Sequence, residues 1–224
     1  MLQRLTLAEL LKHGRFDTVV DVDELLALWP EERTAVQAVL PLSRDYFDKW
    51  KSILVDAHNR RGEVVLIVQK PDDRILLHTK PFYPAGVFRL PTGGLKPEES
   101  INDGLVRELY EETGLAHREG WLIDMVFYDF TNNGIHLPFV SYLFQLPGIV
   151  REPVVQDVDE EISGFRWVAA KELQATGDEL AALPEPWREW GRMRAIPHWA
   201  AAERLFSGES EIAKRFGTKG ATKS

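Results

Sequence analysis

The sequence contains no cysteine, which excludes disulfides, thiolate nucleophiles and cysteine-based zinc sites. No apolar run approaches the roughly 20 residues that span a bilayer. The opening stretch, MLQRLTLAELLKHGR, has no uninterrupted apolar run of signal-peptide length, so a cytoplasmic location is the expectation. Internal repeats and low-complexity blocks are missing too. So is a basic surplus: the formal net charge is −8, whereas polynucleotide binders draw most of their affinity from neutralising phosphates. A small phosphorylated substrate stays compatible with that charge, because a divalent cation can supply the missing positive charge. The partners expected are therefore a small phosphorylated molecule, no nucleic-acid polymer and no membrane.

What is present suits one globular domain with extensions. The 224 residues are 44% hydrophobic and 28% charged, enough to bury a sizeable core. Residues 1–60 read as a helical N-terminal extension. Thr6 and Asp21 stand as helix caps, and Tyr46, Phe47, Trp50, Ile53, Leu54 and Ala57 recur at helical spacing, a stripe for packing or dimerisation. Residues 61–180 mix strands and helices: β-rich runs at 64–69 and 74–79 about a hairpin-like Lys70-Pro71-Asp72-Asp73, long strands at 121–130 and 135–146 about an Asn-Gly turn, and a strand at 164–169. Residues 181–224 read as a second helical extension with a frayed tail, packing on the domain or on a second subunit of a homodimer. The fold class is α/β.

The chemistry concentrates in residues 93–115, GGLKPEESINDGLVRELYEETGL. Ser100 caps a helix with Asp103 in a capping-box-like position, and Gly114 stands where a left-handed stop belongs. Between them Glu108, Glu111 and Glu112 share about a third of the helix circumference. Glu108 and Glu112 are stacked like charges near the unfavourable end of the helix dipole, and Glu112 lies almost in line with the apolar stripe Ile101, Leu105 and Leu109. A helix so arranged calls for a cation. Oxygen ligands select hard divalent ions, Mg²⁺ or alternatively Mn²⁺, and the turn Thr92-Gly93-Gly94 lets backbone approach metal or phosphate. Three glutamates alone are more commonly a solvated acidic face.

The longer pattern decides otherwise. Gly93, Glu99, Arg107, Glu108, Leu109, Glu111, Glu112, Gly114 and Leu115 resemble the Nudix box at every specified position, an agreement expected by chance on the order of once in several million such chains. Phe88-Arg89-Leu90-Pro91 before it, and Asp159-Glu160-Glu161 with Phe165-Arg166-Trp167 after it, extend the likeness over roughly residues 62–175. The resemblance implies a Nudix-type α/β/α sandwich with a mixed sheet, flanked here by helical extensions, and a metal-dependent hydrolase cleaving a pyrophosphate bond in a nucleoside diphosphate linked to a group X.

By that resemblance Glu108, Glu111 and Glu112 hold metal, with Gly93 offering backbone oxygen. Arg107 orients a neighbouring carboxylate, and Glu99 supports the loop. The carboxylate that accepts the proton of the attacking water is Glu108, or Glu160 or Glu161 in the later loop; a metal-saturated group is a poor base, which favours the loop. Arg89, Lys80 and Lys96 stand near the box as candidates for phosphate contacts. His78 and His136 read as structural before functional, and Phe82, Tyr83 and Phe88 as core before base-stacking. A Nudix-fold isomerase, a hydrolase of a non-nucleotide diphosphate and a catalytically silent regulator are the alternatives. The regulator is disfavoured by the intact carboxylates and by extensions without basic clusters. Thr92 makes the turn Pro-Thr-Gly-Gly where Pro-Gly-Gly is common.

Overall fold

A computed structural model describes residues 1–12, 15–16, 19–30, 32–57, 62–116, 120–155 and 161–206. Its centre is a six-stranded mixed sheet in the order β1-β2-β6-β7-β3-β5, formed by Leu2–Thr6 (β1), Thr34–Pro41 (β2), Glu63–Val68 (β3), Thr92–Gly94 (β5), Trp121–Asn132 (β6) and Ile135–Leu146 (β7). β2 runs parallel to β6 and β3 parallel to β7, while the other pairs are antiparallel. Arg74–Thr79 (β4) and Gly164–Ala169 (β8) form a separate antiparallel pair.

Alternation along the strands sends side chains to two apolar layers. On β3, Val65 and Ile67 face one core, while Val64, Leu66 and Val68 face the other. The first core is covered by Arg44–Lys51 (α3), Leu173–Ala181 (α5) and Arg188–Phe206 (α6), through Phe47, Trp50, Leu173, Met193 and Ile196. The second is covered by Leu7–Leu11 (α1), Val22–Leu28 (α2) and Ile101–Thr113 (α4), through Leu10, Leu25, Ile101, Leu105 and Leu109. The α/β/α sandwich is thus present, and α3 and α6 supply part of one of its layers.

Two expectations need correction. The N-terminal segment is not purely helical: its helices form, with Thr6 and Asp21 capping as expected, but β1 and β2 extend the sheet. β2 alternates, with Ala35, Val36 and Ala38 buried, and its hydrogen-bonding partner β6 lies some 90 residues on, so local signals do not reveal it. The 64–79 hairpin closes only at its turn, where Lys70 N–H donates to Arg74 O at 2.8 Å and Gln69 bridges Ile75. Both edges of β3 are already taken by β7 and β5, so β4 turns away to pair with β8.

The extensions are stitched to the domain at one buried carboxylate. Asp124 on β6 accepts hydrogen bonds from Arg4 at 3.1 and 2.7 Å and from Arg204 at 3.1 Å. Arg204 also donates to Thr34 O, and Arg4 pairs with Glu203 at 2.8 Å. The first strand, the start of β2 and the end of α6 therefore meet inside one fold.

Candidate active site

The box helix α4 begins where local chemistry dictates. Ser100 caps it, its hydroxyl accepting from Asp103 N–H and donating to Asp103 Oδ2 at 2.7 Å. Gly114 ends it at φ 66°, in the left-handed region that glycine adopts without strain. Helical periodicity then fixes which carboxylates are buried. Glu108 is 5% exposed and Glu112 0%, both on the side shared with Ile101, Leu105 and Leu109. Glu111, one residue round, is partly exposed. Burying carboxylates beside an apolar stripe is costly unless positive charge meets them.

Arg107 supplies part of that charge and uses all five of its N–H donors. It binds Glu99 twice, at 2.7 and 2.6 Å, Glu108 at 2.7 Å, Glu111 at 2.8 Å and Gly94 O at 2.9 Å. The hydrogen bonds from Arg107 hold the Glu99 carboxyl below the usual range, and the carboxylates in turn raise the guanidinium. Because Arg107 also grips Gly94, the helix and β5 are locked together. Gly93 is the contact point: a Cβ there would lie 1.7 Å from Glu108 Cδ, so only glycine lets the strand touch this carboxylate.

The opposite side of β5 is built by α6 and β3. Arg194 donates to both oxygens of Glu63 at 2.8 Å and reaches the Thr92 hydroxyl at 3.4 Å; Ser141 Oγ donates to Glu63 at 2.7 Å. His198 accepts from Leu90 N–H at 3.0 Å through Nε2, and its Nδ1 lies 2.8 Å from Arg194 O. A carbonyl can only accept, so the proton sits on Nδ1 and the ring is neutral. Burial drives its pKa down to about 3. Pro197 has no N–H to offer Met193 O four residues back; the Tyr128 hydroxyl donates to that oxygen instead, at 3.1 Å.

The site candidates are therefore only partly gathered. Gly93, Glu99, Arg107, Glu108 and Glu111 form one bonded cluster, and Glu112 stands one turn beyond Glu108 on the same buried face. Arg89 is buried and turned into the wall, donating to Tyr83 Oη at 2.8 Å, Leu90 O at 2.7 Å and Thr92 Oγ1 at 3.0 Å. Lys80 is half-buried just beyond β4, and Lys96 is exposed, its backbone N–H donating to Glu99 at 3.1 Å. Glu161 is exposed at φ 52° in the loop before β8; Glu160 lies outside the described residues. His136 pairs with Asp129 at 2.9 Å, which Arg15 also contacts. Tyr83 packs on Trp190, with ring centroids 4.8 Å apart, and Phe82 is exposed.

Among the described residues no three His, Asp or Glu side chains converge on a single point. The donor set still fits a divalent ion. Glu108 and Glu112 are buried neighbours, the backbone at Gly93 is pressed against Glu108, and both nitrogens of the buried His78 lack a hydrogen-bond partner among the described residues. Arg194, His198 and Glu63, which wall the site, were not singled out by sequence; a lone His or Arg in a helix carries no local signal.

The family model for the NUDIX domain matches residues 59–190, more than half of the chain. The chain belongs to the NUDIX family. No protein of curated function matches it significantly. Similar solved structures include the MutT NUDIX hydrolase of Burkholderia pseudomallei, 26% identical, covering 65% of this chain and 97% of that one at TM-score 0.44. A NUDIX hydrolase from Nitrosomonas europaea is 25% identical, covering 63% and 89% at TM-score 0.43. The NUDIX domain of Shewanella oneidensis NrtR, complexed with ADP ribose, is 16% identical, covering 83% and 99% at TM-score 0.44. The NUDIX match ends within the first turn of α6, so Arg194 and His198 lie outside it.

Proposed function

We propose that this Nudix pyrophosphohydrolase cleaves the pyrophosphate bond of a nucleoside diphosphate linked to a second group, with Mg²⁺ as its ion and Mn²⁺ as the alternative. The reading is carried by one observation: two carboxylates, Glu108 and Glu112, are buried on one face of α4 beside a strand whose glycine touches the first of them. Glu108, Glu112 and the Gly93 carbonyl would hold the ion, with Glu111 at the rim. A bound divalent ion neutralises and orients a pyrophosphate and lowers the pKa of the attacking water. Arg107 keeps Glu108 and Glu111 in place, so no reorganisation is needed when substrate arrives. Glu108 is already engaged by Arg107 at 2.7 Å and would be shared with the ion; Glu161 or Glu160 then takes the proton from water as it attacks phosphorus in line. Half-buried Lys80 and exposed Lys96 are the cations offered to the phosphates. Sugar nucleotides, dinucleoside polyphosphates and modified nucleoside triphosphates are the substrates to try.

The test is turnover of those three classes with Mg²⁺ or Mn²⁺, in wild type and in Glu108→Gln and Glu112→Gln. Wild type should release phosphate-bearing products carrying ¹⁸O from labelled water, and each variant should lose about 10²–10⁴-fold. Unlabelled, isomerised product contradicts hydrolysis, and full turnover in both variants contradicts the site.

A further inference from the structure

His78 is a buried polar side chain beside Glu112 that takes no part in the Arg107 cluster. It projects from β4, is 0% exposed, and makes no hydrogen bond through either ring nitrogen among the described residues. Buried polar groups almost always find partners, and each one left without costs about 1–3 kcal/mol. A sequence under selection for packing alone replaces such a histidine with leucine. The described residues offer no acceptor at bonding distance: Nδ1 stands 3.9 Å from Glu112 Oε2, too far for a hydrogen bond. Donors sharing an octahedral ion at about 2.1 Å are roughly 3.0 Å apart when adjacent and roughly 4.2 Å when opposite. The observed 3.9 Å is close to the wider of these separations.

Neither ring nitrogen is committed to a hydrogen bond among the described residues. The neutral ring therefore has a lone pair to offer, and a metal ligand needs one. The other buried histidine nearby, His198, is excluded, because both its nitrogens are already bonded.

We infer that His78 is a nitrogen ligand of the box's divalent ion, sharing it with Glu112 across the β4–α4 contact. This rests on the metal-site reading above and deepens it. A mixed nitrogen and oxygen set favours Mn²⁺, and likewise Co²⁺ or Zn²⁺, over Mg²⁺ more strongly than carboxylates alone do. The ion would give His78 the partner it lacks among the described residues.

Mn²⁺ itself is the probe. The full-length protein, loaded with one equivalent of Mn²⁺ and no substrate, is examined by electron spin echo envelope modulation, which detects a directly bonded ¹⁴N. A strong ¹⁴N coupling is expected in wild type, and in His198→Gln, and should vanish in His78→Leu and His78→Gln. In the His78 variants Mn²⁺ affinity should fall at least about tenfold while Mg²⁺ affinity falls less. Bound Mn²⁺ with only oxygen couplings in wild type overturns the inference and leaves the carboxylate site intact; that measurement needs no variant to fold. A ¹⁴N coupling that persists in both His78 variants overturns it too. Wild type that binds no Mn²⁺ sinks both this inference and the metal site beneath it.

Discussion

Where β4 meets α4, and where α6 meets the approach to β5, the fold buries one histidine each, and it serves them in opposite ways. His198 has an acceptor for its Nδ1 proton and a donor for its Nε2 lone pair. His78, equally buried, has neither among the described residues. Full satisfaction makes His198 a strut: it holds the backbone at Leu90, three residues before Gly93, while its neighbour Arg194 reaches Thr92. The same division separates the arginines. Arg107 spends every donor on the box, whereas Arg194 is anchored mainly on Glu63 and braces the strand from behind. His198 and Arg107 are saturated and serve the scaffold; Arg194 keeps a buried Nε without a hydrogen-bond partner among the described residues, and His78 keeps two such nitrogens.

The largest expected effect tests the scaffold side. Arg107→Leu leaves Glu99, Glu108 and Glu111 without their shared cation and should cost about 3–5 kcal/mol of stability, measured by denaturant unfolding. Arg107→Lys, keeping charge but not the five-donor fork, should recover only part of the loss. Recovery to wild-type stability by lysine would mean that the geometry described here is unimportant.

The two histidines give the sharper contrast. His198→Leu strands the Leu90 N–H and should destabilise by about 1–3 kcal/mol. His78→Leu removes a polar group with no bond to lose, and without metal it should change stability by less than about 1 kcal/mol or raise it. Equal losses in the two variants would erase the distinction.

A smaller and more gradual effect follows from pH. The folded His198 pKa, about 3, lies below its ordinary value of 6.5. Above pH 6.5 both folded and unfolded chains keep this ring neutral. Below it the unfolded chain takes up a proton that the folded one refuses, so stability is lost as pH falls from 6.5 towards 3. At pH 5 the loss from His198 alone is about 2 kcal/mol. Unfolding midpoints at pH 7 and 5, compared between wild type and His198→Leu, check this: the variant should show the shallower fall.

Locality decides how much of this was legible in the sequence. The box helix announces its own ends, through Ser100 and Gly114, and helical angles alone place Glu112 with Ile101, Leu105 and Leu109. β7 and β8 occupy the segments their alternation indicated, and the turn at Asn133-Gly134, with φ of 48° and 78°, joins β6 to β7 as its residues require. What escaped depends on distant partners. β2 is a strand because β6 offers it an edge. β4 leaves its hairpin because β3 has no edge to spare. Arg194 and His198 matter because α6, despite Pro197, packs behind the strand that carries Gly93. Within the site, the sequence pattern found every member of the Arg107 cluster; it did not find the wall that holds the cluster in place, nor that His78 would be buried against Glu112.

The divalent-metal site proposed between α4 and β5 is built on Glu108 and Glu112. Its most direct test is an equilibrium titration of the metal-free protein with Mn²⁺, without substrate, by calorimetry, in wild type and Glu112→Gln. The account predicts saturable binding in wild type and affinity at least about tenfold weaker in the variant. Identical binding in the two proteins, or none in wild type, would contradict it.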